Sequence, residues 1–313
     1  MADDFLIEEY DKKDRAACIK LLETTFPGTS NEDTFRWRFE NPDRKKPILI
    51  CAKDKDEVIS FNSWIPWEFS YENEIFLGYQ SGESATDVRY RGKGLFSQIL
   101  QSSLEIAKNQ EVDFFIGFPG RMSYGSFLRI GYYPIATFYH RLRPLNPFKM
   151  LRKEPIINKY KNYNQSTMVG KTMITPVVND EYLRWRYDEN PKHYDVYEFI
   201  EDNCRAIFYT RKNIWKGLPI VILLDVQFTS YNDMFVRRAF EYLDTILSRK
   251  AILIRTLFNG NSERGKILNK YFPINIKSKY FVLLAMNISK RIPLNDFYNY
   301  NRWEIMPHCI DHY

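Results

Sequence analysis

The sequence predicts an α/β (α+β) chain made of two successive copies of one unit, each a mixed sheet flanked by helices. Three observations carry this. The string Phe35-Arg36-Trp37-Arg38-Phe39-Glu40-Asn41-Pro42 returns as Leu183-Arg184-Trp185-Arg186-Tyr187-Asp188-Glu189-Asn190-Pro191, 148 positions later and with one extra acidic residue. Each copy opens on an acidic, Asn-containing helix start (Asn31-Glu32-Asp33 and Asn179-Asp180-Glu181). Each closes on Asn-Pro, a helix stop, because Pro pushes the residue before it out of helical geometry. Each is then followed by two strand-like runs, 47–52 and 58–64 in the first half, 197–200 and 205–210 in the second. A period near half of 313 residues is too long for a solenoid and fits two domains.

The other elements follow in the same order in both halves. In the first, residues 5–10 read as a strand and 15–26 as a helix. The helix around Phe35 and a meander to Thr86 come next. A helix over 94–108, a strand over 114–118, a helix over 124–130 and a strand over 135–142 complete the half. In the second, strands over 219–228, 251–258 and 280–286 alternate with helices over 234–249 and 262–271. This places a first domain at 1–145, a linker at 146–166 and a second domain at 167–313. The connecting stretch holds Pro144, Pro147 and Pro155 without sustained periodicity. Its basic residues (Lys149, Arg152, Lys153, Lys159, Lys161) read as a solvated linker.

Composition narrows the function classes. Hydrophobic residues make up 44%, enough for real cores. The 22 Tyr and 23 Phe suit either a ring-lined cleft or aromatic cores. A net charge of +6 fits a phosphate-bearing ligand, and no Lys/Arg run is long enough to imply nucleic acid. Cys18, Cys51, Cys204 and Cys309 lie far apart, with no CxxC pair. The acidic N-terminus has no apolar signal-peptide core, and no apolar run approaches the roughly 18 residues of a membrane span. The expectation is a cytoplasmic protein with reduced thiols.

The informative stretch is Ser84-Ala85-Thr86-Asp87-Val88-Arg89-Tyr90-Arg91-Gly92-Lys93-Gly94-Leu95-Phe96. A strand ends near Thr86 and an amphipathic helix begins near Gly94. Two glycines one residue apart let the backbone approach a ligand and adopt positive φ. The free N–H groups of the helix start then converge, with the positive end of the helix dipole behind them. That is a pyrophosphate site. Arg91 and Lys93 add charge that a diphosphate would neutralise. Neither the Walker pattern GxxxxGK[ST] nor the dinucleotide fingerprint GxGxxG is present.

Arg89-x-x-Gly92-x-Gly94 at a strand–helix junction resembles the acyl-CoA-binding signature of the GCN5-related N-acetyltransferase (GNAT) superfamily. Ser126-Phe127-Leu128-Arg129-Ile130-Gly131-Tyr132, one strand later, is similar to the family's "FYxxxGF" helix end. The resemblance covers residues 1–142 well. It implies tandem GNAT-like domains with mostly antiparallel, twisted sheets. The junction of the second half, Asp225-Val226-Gln227-Phe228-Thr229-Ser230-Tyr231-Asn232, lacks the glycine loop and looks like a degenerate copy.

The resemblance also implies an activity: transfer of an acetyl group from acetyl-CoA to a primary amine by direct attack. Amino sugars of surface-polysaccharide pathways are one acceptor class among tandem members. Backbone groups at Ser84, Ala85 and Thr86 would pair with the pantetheine arm. Amides from Arg91 through Gly92, Lys93, Gly94 and Leu95 to Phe96 would hold the pyrophosphate. The family's usual base is a carboxylate near the strand before the loop, and Glu83 is best placed. A base is needed because the attacking amine is mostly protonated at neutral pH. The family's leaving-group Tyr position is Phe127 here, so Tyr124, three residues earlier, is the candidate acid, with Tyr132 and Tyr133 as further options. Two other classes remain: a module that only binds acyl-CoA, and a tandem-fold peptide-bond-forming transferase using aminoacyl-tRNA. The Arg89–Gly94 loop argues against the latter.

Several other features read as packing. His308-Cys309-Ile310-Asp311-His312 places Cys, His and Asp together, but triads converge in space and seldom in sequence, and a metal would need a fourth ligand. This tail reads as a polar segment closing the second domain, with substrate contact by Trp303, His308 or Asp311 left open. Trp64 and Trp67 read as core before sugar-stacking platforms. Trp37-Arg38 and Trp185-Arg186 read as a buried Trp beside an Arg that pairs with a nearby carboxylate.

Overall fold

At residues 31–34 the expected helix start forms a capping box. The Asn31 side chain accepts from the Thr34 amide at 2.9 Å, and Thr34 accepts from the Asn31 amide at 2.8 Å. The computed structural model describes residues 5–151 and 172–310, and in it this box opens α2 (Glu32–Phe39), which follows α1 (Arg15–Thr25). Arg152, Lys153, Lys159, Lys161, Asp311 and His312 lie outside the described residues.

The strands are β1 (Leu6–Glu9), β2 (Ile48–Asp54), β3 (Glu57–Tyr71), β4 (Glu74–Thr86), β5 (Phe114–Gly117), β6 (Tyr133–Pro144), β7 (Thr175–Pro176), β8 (Asp195–Glu201), β9 (Cys204–Trp215), β10 (Leu218–Phe228), β11 (Leu253–Thr256) and β12 (Ile274–Asn287). The remaining helices are α3 (Leu95–Lys108), α4 (Tyr124–Arg129), α5 (Asp180–Leu183), α6 (Asp233–Leu247), α7 (Glu263–Tyr271) and α8 (Leu294–Phe297). The elements read from the sequence are present, most with ends within a few residues, and the sheet is mixed and mostly antiparallel. Among the strands of the described residues, β4–β5 and β10–β11 pair in parallel and the other pairs are antiparallel.

One expectation is corrected. The two halves do not carry a sheet each. Their strands merge into a single sheet in the order β1-β2-β3-β4-β5-β12-β6-β11-β10-β9-β8, with β7 paired to β3. The last strand of the chain, β12, is inserted between β5 and β6 of the first half, and β6 reaches across to β11 of the second. Strand runs alone do not reveal this, because pairing partners are set by tertiary closure and not by local pattern.

The repeat motifs meet. Trp37 and Trp185 stack with ring centroids 4.9 Å apart. Trp37 Nε1 donates to the Trp185 carbonyl at 2.7 Å and Trp185 Nε1 to the Trp37 carbonyl at 3.2 Å. Asn41 Nδ2 also donates to Glu189 at 3.0 Å, again across 148 positions. Such reciprocal contacts are those of a local two-fold axis. The second copy is not a plain α-helix: after α5 the chain widens into a π-helical turn over Arg184–Asp188, which absorbs the extra acidic residue.

Packing follows three clusters. One lies under α3 and α4, one under α6 and α7, and a shared one joins α1, α2, α5, Trp185, Tyr209 and Trp303. The α3 stripe Leu95, Ile99, Leu100, Ser103 and Ala107 is buried, as a helix with one apolar face requires.

Candidate functional site

After β4 the chain makes a short turn at Val88–Tyr90, tied down at its base. Asp87 accepts from the Arg89 amide at 2.9 Å, Arg89 bridges Asp87 and Glu57, and the Tyr90 hydroxyl donates to Asp54 at 2.8 Å. Arg89 is therefore a brace for the loop. Gly92 and Gly94 then take φ values of +80° and +78°. A Cβ at either would meet nothing within 4 Å, so backbone conformation, not space, demands glycine.

Gly94 is the N-cap of α3, and no side chain caps that helix. The first-turn amides, beginning with those of Leu95 and Phe96, face outward over the loop with the positive helix end behind them. Ser97 and Gln98 already donate to the Gly94 carbonyl. Leu95 itself is buried and Phe96 packs against Phe127, so these two residues offer backbone, not side chains. Arg91 donates from Nε to the Thr86 carbonyl at 3.0 Å, and the Lys93 ammonium lies over the Phe5 and Tyr90 rings.

Next to this loop the sheet opens. β4 and β5 pair only at Gly78–Gln80 with Phe114–Ile116, while β4 continues six residues further to Thr86. Ser84, Ala85 and Thr86 therefore have no β5 neighbour, an edge ready for an added strand. In the β3–β4 register Asn62 faces Ser84 and Trp64 faces Ser81, so Gly82 and Glu83 together oppose Ser63. This is a β-bulge, a feature that re-aims side chains beside functional sites. Gly82 has a packing reason as well: a Cβ there would lie 2.7 Å from Ser63 Oγ.

The bulge directs Glu83 toward α2. Glu83 therefore does not face solvent. Glu83 is 4% exposed and ion-paired through Oε1 with Arg38, itself 2% exposed by its side chain. Ser30 Oγ donates to Oε2 at 3.3 Å. The reading of Arg38 as the partner of a nearby carboxylate is thus met, and that carboxylate is Glu83.

Tyr124 begins α4 and is half-buried against the core under α3. Phe127 is buried among Trp64, Phe96 and Tyr132. Tyr132 is also buried, its hydroxyl has no partner among the described residues, and burial holds its pKa well above the usual tyrosine value. Trp64 and Trp67 are core residues, which removes them as stacking platforms. Trp303 is fully buried against Phe69, Phe114 and Phe297, so its open substrate role is also removed.

The tail differs from the polar closing segment expected. His308, Cys309 and Ile310 are buried. His308 Nδ1 lies 2.9 Å from the Tyr182 hydroxyl, and its Nε2 lies 3.2 Å from Cys309 Sγ and 3.8 Å from Asp225. Burial pushes the His308 pKa down to about 4 and the Cys309 thiol up to about 12, so neither is charged near neutrality and no thiolate nucleophile forms. The segment reaches the opening of the sheet: Gln80 Nε2 donates to the Cys309 carbonyl at 2.9 Å. Sequence reasoning missed Gln80 and this proximity. The only available signal was a polar Gln inside a strand otherwise rich in apolar and small residues.

With this geometry in hand, residues 7–135 match the family model of the acetyltransferase (GNAT) domain. No curated protein resembles the chain in sequence at a significant level. Solved structures share its fold. A probable N-acyltransferase from Enterococcus faecalis superposes with a TM-score of 0.61 at 12% identity, covering 91% of this chain and 72% of that one. A GCN5-related N-acetyltransferase from Anabaena variabilis gives 0.63 at 10% identity, with 90% and 72% covered. An N-myristoyltransferase from Saccharomyces cerevisiae with bound myristoyl-CoA gives 0.58 at 13% identity, with 92% and 83% covered.

Proposed function

We propose that the chain is an acyl-CoA-dependent N-acyltransferase of the GNAT superfamily with acetyl-CoA as co-substrate, and that it acetylates the primary amine of an amino sugar at the opening between β4 and β5. The single observation behind the site assignment is the uncapped N-terminus of α3 beside an unpaired strand edge. Amides from Arg91 to Phe96 would hold the diphosphate and the Ser84–Thr86 edge the pantetheine arm, which brings the thioester to the level of the bulge.

Glu83 is the proposed proton acceptor, through Oε2, once the amine displaces the long contact from Ser30. The freed lone pair then attacks the thioester carbonyl, and the C–S bond breaks. Tyr124 is the proposed donor to the departing thiolate. No covalent enzyme intermediate is needed. The glycine-less second half is proposed as the degenerate copy of a tandem pair, with domains at 1–145 and 167–313 joined by 146–166. Setting in a surface-polysaccharide pathway supplies the amino sugar.

The test is thiol release from acetyl-CoA with a panel of amines: glucosamine, galactosamine, a lysine-terminated peptide and spermidine. Turnover favouring the amino sugars supports the reading. Turnover confined to the peptide or the polyamine overturns it.

A further inference from the structure

A cleft of about 760 Å³ lies on the sheet beside this opening, lined by Gly131, Tyr133, Leu294, Asn295, Tyr298, Asn299 and Tyr300. It owes its place to the inserted strand. Gln80 on β4 is in register with Ile116 on β5, Ile116 with Ala285 on β12, and Ala285 with Tyr133 on β6. Residues in register across a sheet share a face. Ile116 and Ala285 belong to the core shared with α2, so the cleft sits on the face to which Glu83 turns. Three strand spacings separate Tyr133 from Gln80, roughly 14 Å.

The lining has a definite chemistry. Three tyrosines supply ring faces. Tyr133 and Tyr298 meet edge to face at 5.2 Å, and Tyr300 is anchored on Phe138. Asn295 supplies an amide that both donates and accepts, and Asn299, whose Oδ1 accepts from the Asn301 amide at 3.0 Å, supplies its Nδ2 donor; hydroxyl groups need both kinds of partner. Among the described residues, no Lys, Arg, Asp or Glu lines the cleft. Asp296, the acidic residue between the lining positions, is committed elsewhere, to Arg302 at 2.9 Å and the Tyr71 hydroxyl at 2.8 Å. A diphosphate or a polyamine would need countercharges that are missing from this lining, and an acyl chain would leave the Asn295 amide and the Asn299 Nδ2 without partners. A pyranose ring presents an apolar C–H face to a tyrosine and a rim of hydroxyls to the amides.

We propose that this cleft binds a neutral sugar ring of the acceptor, one unit removed from the ring that carries the reacting amine. The inference rests on the acyl-transfer reading of the β4–β5 opening for its distance argument, but the binding chemistry of the cleft stands apart from it. The acceptor is then a disaccharide or longer. Binding energy gathered at the remote ring serves to hold the amine at the thioester.

Two measurements test this. The first is saturation-transfer NMR with N,N′-diacetylchitobiose, cellobiose and maltose, which carry no amine and need no acetyl-CoA. At least one should receive saturation from the wild type. Tyr133→Ala should remove the signal, Tyr133→Phe should keep it, and Asn295→Ala should weaken binding about five- to tenfold, the worth of one lost hydrogen bond. Both side chains are exposed, so the variants should fold, and melting curves are to be recorded alongside to check it. Equal signals in the wild type, Tyr133→Ala and Asn295→Ala overturn the proposal, as does no transfer to any of the three sugars.

The second compares kcat/KM for chitosan disaccharide and glucosamine. The disaccharide should lead in the wild type and lose its lead in Asn295→Ala, with the glucosamine rate unchanged. An equal lead in the variant also overturns the proposal. Neutral sugar binding that maps to the cleft while no amino sugar is acetylated would leave the cleft standing and sink the acyl-transfer reading alone.

Discussion

The two strand–helix junctions of this molecule start from the same scaffold and differ in where their polar groups point. Both β4 and β10 run parallel to a short neighbour for only a few residues and then diverge, and both carry a register shift close to the divergence. At the first junction the helix start has no side-chain cap and two glycines open the loop. At the second, the Asn232 side chain accepts from the amides of Met234 and Phe235, closing the start of α6.

The second opening is also filled from within. Arg264 donates to Asp225 at 2.7 Å and to the Val226 carbonyl at 3.3 Å, and Thr256 Oγ1 donates to the Leu223 carbonyl at 2.8 Å. Both junctions have strand carbonyls that accept from side chains, Ala85 from Ser60 and Thr86 from Arg91 at the first, so the contrast lies in the helix-start amides, which a side chain caps at the second junction and not at the first. Capacity for a ligand thus lies in what the fold leaves unpaired, not in the fold itself.

The sharpest way to break the comparison is at the loop. Gly92→Asp or Gly94→Asp should abolish acetyl-CoA binding, because each puts a carboxylate where phosphate must approach and strains a backbone held at φ near +80°. Titration calorimetry should find one site per chain in the wild type and none in either variant. Unchanged affinity in both would mean that the loop serves something else, and two equal wild-type sites would mean that the second junction is open after all.

The next effect belongs to Glu83. Glu83→Gln should lower kcat by about 10²–10⁴-fold, the usual contribution of a positioned general base, with the deficit shrinking at high pH where the amine arrives deprotonated. It should leave acetyl-CoA affinity nearly unchanged. Because Glu83 pairs with buried Arg38, the same change should cost about 3–5 kcal/mol of stability by removing one charge of a buried ion pair. Denaturant melts must accompany the pH–rate profile. A stable variant with parallel profiles would return the search for a base to Glu68, Asp87 or water.

How much of this was legible in the sequence follows from the range of the forces involved. The glycine loop, the Asn31 box and the α3 stripe are local, set by a few adjacent residues, and could be read. The Trp37–Trp185 axis was half legible: the repeat was visible, the mutual contact was not. Insertion of β12 between β5 and β6, the Arg38–Glu83 pair across 45 positions (83 minus 38), and the burial of His308 beside Gln80 depend on closure of the whole sheet. For Glu83 the bulge decides the matter, since one extra residue changes which face the carboxylate takes.

Acid sensitivity should fall on the second half. His308 is neutral in the folded protein down to about pH 4, whereas a histidine in the unfolded chain takes up a proton near pH 6.5. Below that value the unfolded state binds more protons, so the contribution is fully present above about pH 6.5 and is lost as pH falls toward 4. Between pH 7 and pH 5 it should amount to about 2 kcal/mol, read by urea melts. His308→Gln should flatten this dependence, and an equally steep loss in the variant would place the sensitive group elsewhere.

The smallest expected effect is the most direct check on why the second junction is closed. Asn232→Ala removes the side chain that caps α6 and should cost about 1 kcal/mol, the usual worth of such a cap. The amides of Met234 and Phe235 then resemble those at the start of α3. If capping alone separated the junctions, a second acetyl-CoA site would emerge in calorimetry. The expectation is that it does not. Arg264 still holds Asp225 and the Val226 carbonyl, Thr256 still holds the Leu223 carbonyl, and no glycine loop precedes the helix. An uncapped helix start supplies donors, but a diphosphate also needs a backbone that can close around it and an open strand edge for the arm that follows. A stoichiometry that stays at one, with a small fall in melting temperature, would show that these requirements act together. A stoichiometry of two would reduce the difference between the halves to one asparagine.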